Sequence, residues 1–508
     1  MSSEPRRPAR ERGPSLGRRR LLTLAAAMTA AGVPPLFQPA HARPRAGTAT
    51  VHWTSESTAP GYAPGDGRWY EDPATGLEQV AHRLSPQEPV PVTDPGEAHG
   101  QLITVEPSAR RQTVLGIGSS TEESTVHNLS RMSPSARSAV LRALYHPTEG
   151  AGFNLTRICF GTSDFTAEEF YTYADEPDPE LSRFSIQRDI DLDIVATLRE
   201  ALSLNPALKV TATPWSAPPW MKDSGTLVGG ALLDEHVPTF ARYHRLAVQA
   251  YQEQGIPLHA VTPQNEPGFV PEDYPGMKVT PDQERRLIEA MRREFDAHGL
   301  DTRIWCFDWN FAPAAEHLAT TLGVPGAYTD AYRASQAIAL HDYEGEPADM
   351  SALRRTYPDL DVLLNERMVW GTEGADRIAQ YFRHDATAYQ AWVTMLDRNI
   401  APEQWTGVPD PTPLVQDPDH PDTYWALPEY HLIAQYSRFV GRGSVRVESD
   451  AGDANTLTNV AFAGPDQTLT VVVINQTGRD REFTLRTPRQ QLSHTLPAKT
   501  VGTYVWRS

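Results

Sequence analysis

The chain predicts an α/β fold: a (β/α)8 TIM barrel with an accessory all-β sandwich formed mainly by the C-terminus. Three observations carry the prediction. Between about residues 110 and 406, short apolar runs alternate with amphipathic stretches of helical period. Beyond about residue 440 the helical period stops, and short alternating runs follow one another. No G-x-G-x-x-G follows any apolar run, which removes the main argument for an open dinucleotide-binding sheet.

The barrel strands are expected at 114–118, 153–160, 209–214, 259–263, 303–308, 337–341, 361–365 and 403–406. Helices are expected between them, among others at 188–204, 237–254, 281–298 and 374–398. The first carries Ile190, Leu192, Ile194, Val195, Leu198 and Leu202, close to one helical face. Five alternating runs punctuated by Gly, Asp, Asn or Pro, at 444–449, 457–463, 469–475, 482–486 and 501–506, build the sandwich. The predicted divisions are a signal segment at 1–42, a lead-in at 43–108, the catalytic barrel at 109–435 and the sandwich at 436–508. The lead-in has a strand at 48–54 that joins the sandwich, and 101–107 alternates like an edge strand.

A chain of 508 residues is long enough for a large barrel plus a second unit. Its 40% hydrophobic and 22% charged residues are ordinary for a globular protein and exclude disorder as the main organisation. The N-terminus reads as a twin-arginine signal for secretion. Arg18-Arg19-Arg20 precede an apolar run of about 13 residues that ends near Val33, and Ala40-His41-Ala42 offers a cleavage site. That run is shorter than the ~20 residues that span a bilayer, so no stable membrane insertion is expected.

Losing residues 1–42 removes seven Arg and two Glu, taking the formal charge from −18 to about −23. Such a surface repels nucleic acid and anionic membranes. Cys159 and Cys306 sit in apolar, strand-like stretches and read as buried free thiols. No Cys/His spacing resembles a metal site, and no cofactor is implied.

In a barrel the C-terminal ends of the strands carry the chemistry. Here they read Gly116-Ile117-Gly118-Ser119-Ser120, Arg157 with Asp164, Trp215 with Trp220, Asn265-Glu266-Pro267, Asp308-Trp309-Asn310, His341-Asp342-Tyr343, Glu366-Arg367, and Trp405. Indole faces stack on sugar C–H faces, while acids and amides bind hydroxyls directionally. A carbohydrate or glycoconjugate is therefore the expected partner. Glycosidic cleavage needs two carboxyl groups flanking one bond. Glu266 and Glu366 end the fourth and seventh expected strands, across the barrel mouth from each other. Asn265 can bind a sugar 2-hydroxyl. Glu373 competes with Glu366 but looks like a helix start.

These residues resemble family 30 of the glycoside hydrolases, which includes glucosylceramidases and β-1,6-glucanases. The likeness runs from about Gln112 to the C-terminus. It rests on Gly116-Ile117-Gly118-Ser119-Ser120, on Thr213-Pro214-Trp215-Ser216-Ala217-Pro218-Pro219-Trp220-Met221-Lys222 and on Val261-Thr262-Pro263-Gln264-Asn265-Glu266-Pro267. The resemblance implies a retaining β-glycosidase with Glu266 as acid/base and Glu366 as nucleophile. It also implies that Arg157, Asp164, Trp215, Asn265, His341, Tyr343 and Trp405 surround the first sugar. One departure stands beside the nucleophile: the family often has Thr or Ser where this chain has Asn365.

Overall fold

The computed structural model describes residues 47–58, 69–70 and 73–507. The expected signal segment, 1–42, lies outside them. Eight parallel strands close into a barrel: β1 (Gly116–Ser119), β2 (Leu155–Cys159), β3 (Lys209–Thr213), β4 (Leu258–Val261), β5 (Arg303–Asn310), β6 (Ala337–His341), β7 (Asp361–Glu366) and β8 (Ala386–Ala391). Each strand pairs with its sequence neighbour, and β8 closes the ring on β1 through Tyr389↔Ile117 and Ala391↔Ser119.

The layer inside the barrel mixes large and small side chains: Leu155, Ala260, Trp305, Ala337, Ala339, Leu363 and Ala388. Small residues are required where strands crowd. A Cβ on Gly118 would stand 1.9 Å from the Leu155 carbonyl oxygen, so only glycine lets β1 approach β2.

Seven of the eight expected barrel strands match observed ones, but the eighth does not. Residues 403–406 form an irregular loop, and the last strand comes from 386–391. The sequence pattern places that segment in a helix over 374–398, and Ala386-Thr387-Ala388-Tyr389-Gln390-Ala391 is indeed rich in a good helix former. Burial at all six positions and pairing with both β7 and β1 override that local preference. The helix itself is Gly371–Arg383. The expected helix at 188–204 is interrupted at Asp193 (φ 64°), giving Gln187–Asp191 and Ile194–Leu204.

The helix Pro281–Ala297 shows why the helical stretches form where they do. Thr280 and Gln283 make a reciprocal capping box, Pro281 takes the first turn, and Leu287, Ile288, Met291 and Phe295 make one buried face.

The second unit is a nine-stranded all-β assembly. Its strand order is Ser85–Pro91, Thr48–Ser55, Thr500–Arg507, Thr468–Asn475, Thr458–Ala463, Val445–Ser449, Gln101–Thr113, Arg481–Arg486 and Gln491–Leu496. The N-terminal segment thus supplies three strands to the sandwich. Gln101–Thr113 is not an edge. It pairs antiparallel with Val445–Ser449 on one side and parallel with Arg481–Arg486 on the other. The buried helix Pro428–Ser437 lies between the two units, and the Thr503 hydroxyl donates to the Gln435 carbonyl (2.8 Å).

Candidate active site

The barrel mouth is organised around a buried cation. Arg157, on β2, is 0% exposed and cannot meet water, so every donor must find an acceptor within the protein. Its Nε donates to Thr213 Oγ1 (3.1 Å), and Nη2 donates to Asn265 Oδ1 (2.7 Å) and Asp308 Oδ2 (2.9 Å). Nη1 donates to Glu366 Oε2. The guanidinium also lies 4.8 Å from the Trp215 ring centroid and 5.4 Å from that of Trp392. One side chain thereby ties together β2, β3, β5, β7 and the loop after β4.

Asp308 is the second hub. In the register between β5 and β6, the partner jumps from Phe307 to Trp309, which leaves Asp308 as the extra residue of a bulge. Phe307 and Asp308 take φ of 78° and 57°, conformations that L side chains rarely adopt. The bulge turns the Asp308 carboxylate inward. There it accepts from Arg157, Thr213 Oγ1 (3.2 Å), Thr262 Oγ1 (2.7 Å), Asn365 Nδ2 (2.7 Å) and His341 Nε2 (3.0 Å). Burial alone would favour the neutral acid. The Arg157 and His341 charges and these donors hold the carboxyl well below its usual range.

His341, at the end of β6, faces a carboxylate from each ring nitrogen: Nε2 meets Asp308 Oδ1 and Nδ1 meets Glu266 Oε1, both at 3.0 Å. Burial disfavours its imidazolium, yet the surrounding carboxylates, Glu366 first, raise its pKa to about 10. The ring is therefore a doubly protonated donor at neutral pH.

Glu266 and Glu366 end up side by side. One carboxylate oxygen of each and a ring nitrogen of His341 form a cluster whose atoms are all within 4.8 Å of one another. Glu266 itself has φ 44°, and its N–H donates to the Asp308 carbonyl (3.0 Å). Burial raises the Glu266 carboxyl above its ordinary value, while the hydrogen bond from His341 pulls it back. Glu366 receives Arg157 on one oxygen and the Tyr343 hydroxyl (3.0 Å) on the other.

The remaining expected residues gather here as well. Asn265 is bound by Arg157. Asp164 is 8% exposed, and burial together with the nearby Glu366 raises its carboxyl well above the carboxylate range. Trp215 stacks on Trp392 (5.0 Å, 22°), in a cluster that also holds Trp69 and Phe165, with Trp405 and Tyr274 packed against it. Trp405 reaches the mouth on a loop. Gln404 N–H donates to the Asp164 carbonyl (2.8 Å), and the Thr406 hydroxyl donates to Asp273 (2.9 Å). Trp220 does not join this cluster; its Nε1 donates to the Ala174 carbonyl and its ring meets His236. Glu373 is exposed in the first turn of Gly371–Arg383, outside the pair.

Asn365, the departure beside Glu366, has a structural account. Its Nδ2 binds Asp308, and its Oδ1 accepts from Gln390 Nε2 (2.7 Å) on β8. It works as a two-ended strut. Asp308 stands in the sequence as an acid at an expected strand end without a role of its own, and Trp392 and Tyr274 are not singled out at all. The acid in Asp308-Trp309-Asn310 at an expected strand end was the one available signal. Trp392 was hidden by the helical reading of its segment.

Among the described residues, Glu266, His341 and Glu366 form the one cluster of three with metal-ligand geometry. Arg157 and the His341 imidazolium already supply positive charge there, so a cation would meet like charge at close range. A groove of about 340 Å³ is lined by Tyr343, Arg367, Trp370, Glu373 and Arg377 among others, and neither Glu266 nor Glu366 lines it.

A family model described as the glycosyl hydrolase family 30 TIM-barrel domain matches residues 114–440, and the family 30 beta sandwich domain matches 443–504. An endo-1,6-beta-D-glucanase of Neurospora crassa is 30% identical over 411 residues, covering 75% of this chain and 82% of the relative. The endo-1,6-beta-D-glucanase neg1 of Aspergillus fumigatus is 28% identical over 444 residues, 81% and 89% of the two chains. The lysosomal acid glucosylceramidase of Mus musculus is 26% identical, covering 80% and 84%. In fold, the chain superposes on the endo-beta1,6-glucanase BT3312 with a TM-score of 0.77 at 24% identity, over 91% of this chain and all of that one.

Proposed function

The chain belongs to glycosyl hydrolase family 30, and from that premise we propose that it hydrolyses β-1,6-linked glucan, with Glu366 as nucleophile and Glu266 as acid/base. That the chain is a retaining glycoside hydrolase follows from the family; the residue roles and the substrate are the proposal. The observation that carries it is the close pairing of Glu266 and Glu366, with carboxylate oxygens within 4.8 Å. Retaining sites hold their carboxyl groups ~5–5.5 Å apart, whereas inverting sites leave ~6.5–9.5 Å for a water.

In the first step Glu366 attacks the anomeric carbon, and the proton of Glu266 passes to the leaving oxygen as the glycosidic bond breaks. Arg157 faces the nucleophile with a positive charge and a hydrogen bond to its Oε2. In the second step Glu266, now ionised, takes a proton from water, which attacks the same carbon and frees Glu366. Asp164, Asn265 and the stacked Trp215 offer the first sugar two polar contacts and an aromatic wall. The similarity to fungal endo-1,6-β-glucanases supports a glucan chain as substrate. Export by the twin-arginine route is part of the reading and rests on Arg18-Arg19-Arg20 and the apolar run. A mature N-terminus that still contains that run in the secreted fraction would count against it.

The deciding experiment is Glu366→Ala assayed on an aryl β-glucoside and on β-1,6-glucan. Turnover should vanish, and azide should restore aryl glucoside cleavage with a glycosyl azide of inverted configuration. Unchanged activity in that variant would move the nucleophile elsewhere. Activity on the aryl glucoside but none on β-1,6-glucan would overturn the substrate alone.

A further inference from the structure

Tyr343 poses a physical problem. Its hydroxyl must stay on Glu366 Oε1, yet its residue is 44% exposed and its ring meets His341 only edge-on at 6.3 Å. The hydroxyl is buried against Glu366 while the rest of the residue lies open on one side. The ring therefore needs a further contact to hold the one rotamer that donates to Glu366. Arg367, the residue after Glu366, covers the ring: its guanidinium carbon lies 4.8 Å from the Tyr343 centroid and 5.6 Å from that of Trp370. Arg367 is itself fixed at both ends. Its carbonyl accepts from the Tyr389 hydroxyl (2.9 Å) on β8, and its Nη1 lies 3.1 Å from Asp410 Oδ2 in the loop beyond β8. The Tyr343 backbone is held in turn by Asn310 Oδ1 (3.0 Å) on β5.

We propose that Arg367 is a positioning residue: braced by Asp410, it lies across the Tyr343 ring and keeps the phenol hydroxyl on Glu366 Oε1. The proposal rests on the reading of Glu366 as nucleophile. It adds a chain Asp410–Arg367–Tyr343–Glu366 that runs outside the buried Arg157 hub and approaches the opposite carboxylate oxygen. Arg367 acts on the reaction only through Tyr343, so its effect requires that hydroxyl.

The test uses the full chain and an aryl β-glucoside, with Arg367→Met, Arg367→Lys, Tyr343→Phe and the double variant Arg367→Met/Tyr343→Phe. Losing the cation over the ring should lower kcat about tenfold and leave KM within about twofold. Arg367→Lys should recover most of the loss, and Arg367→Met should cost nothing further in the Tyr343→Phe background. A wild-type kcat in Arg367→Met, or two losses that multiply, would overturn the proposal. A substrate-free crystal structure of Arg367→Met reads the same point without turnover. The Tyr343 hydroxyl should have left Glu366 Oε1, and a bond still at 3.0 Å sinks the idea whatever the enzyme cleaves. Failure of wild-type turnover on every β-glucoside would instead remove the substrate reading and leave this structural outcome standing.

Discussion

The barrel mouth and the sandwich core are both buried, but they are buried by opposite means. The sandwich packs Val51, Ile103, Val105, Leu469, Val471, Val473, Phe483, Leu485 and Tyr504 with their neighbours into an apolar cluster. Each such side chain is stabilised by leaving water, at roughly 25 cal/mol per Å² of apolar surface. The mouth instead buries Arg157, Asp308, His341, Glu366 and most of Glu266. Desolvating those charges is costly, and mutual pairing only offsets the cost. The difference teaches that the mouth is arranged for chemistry rather than stability. It holds charges preorganised in a water-poor site, where they act strongly on a developing charge.

Five outcomes would break or sharpen that contrast, beginning with the largest. Glu366→Ala should lower turnover by on the order of 10⁴-fold or more, while Arg157 keeps Asp308 and Asn265 as partners. A small kinetic effect would mean that the charge pairing is structural. Asp308→Ala should cost both functions at once. It strands Arg157 and His341, so a loss of about 3–5 kcal/mol in stability is expected by chemical denaturation, with a marked fall in kcat. Phe483→Ala should also cost about 3–5 kcal/mol, as a cavity in the sandwich, but with kcat unchanged at temperatures where the variant is folded.

The fourth outcome is a pH dependence confined to the mouth. His341 has a folded pKa of about 10 against an ordinary 6.5. Its contribution to stability is therefore complete below pH 6.5 and lost as pH rises from 6.5 toward 10. Asp308 is shifted the other way, and its contribution is lost only as pH falls below the ordinary carboxylate range. The melting temperature should fall on the alkaline side, and His341→Gln should flatten that limb. An unchanged slope in the variant would place the titration elsewhere. The smallest effect is expected at the exposed Arg333–Asp330 pair, where Arg333→Ala should stay within about 0.5 kcal/mol.

Legibility followed the same division. Glu266 and Glu366 could be read because each ends an apolar run that forms a strand for local reasons. The fold class could be read because period 2 and period 3.6 are local patterns. β8 could not be read, since its alanines favour helix locally and only the closing of the ring between β7 and β1 makes them a strand. Asp308 was visible as an acid at a strand end. Its role depended on a bulge with two positive φ values, which no local pattern announces. Asn365 looked like an anomaly until Gln390 and Asp308 appeared at its two ends.

By itself, then, the sequence determined the alternation of strands and helices, the all-β C-terminal part, and the two glutamates at strand ends. These follow from the chemistry of neighbouring residues. The tertiary structure alone decided which segment closed the barrel, how Asp308 turned inward, and that Arg157 would bind Glu366. Each of those depends on groups far apart in the chain, Arg157 and Glu366 being 209 residues apart. Their meeting is fixed by the closure of the ring, and no run of adjacent residues encodes it.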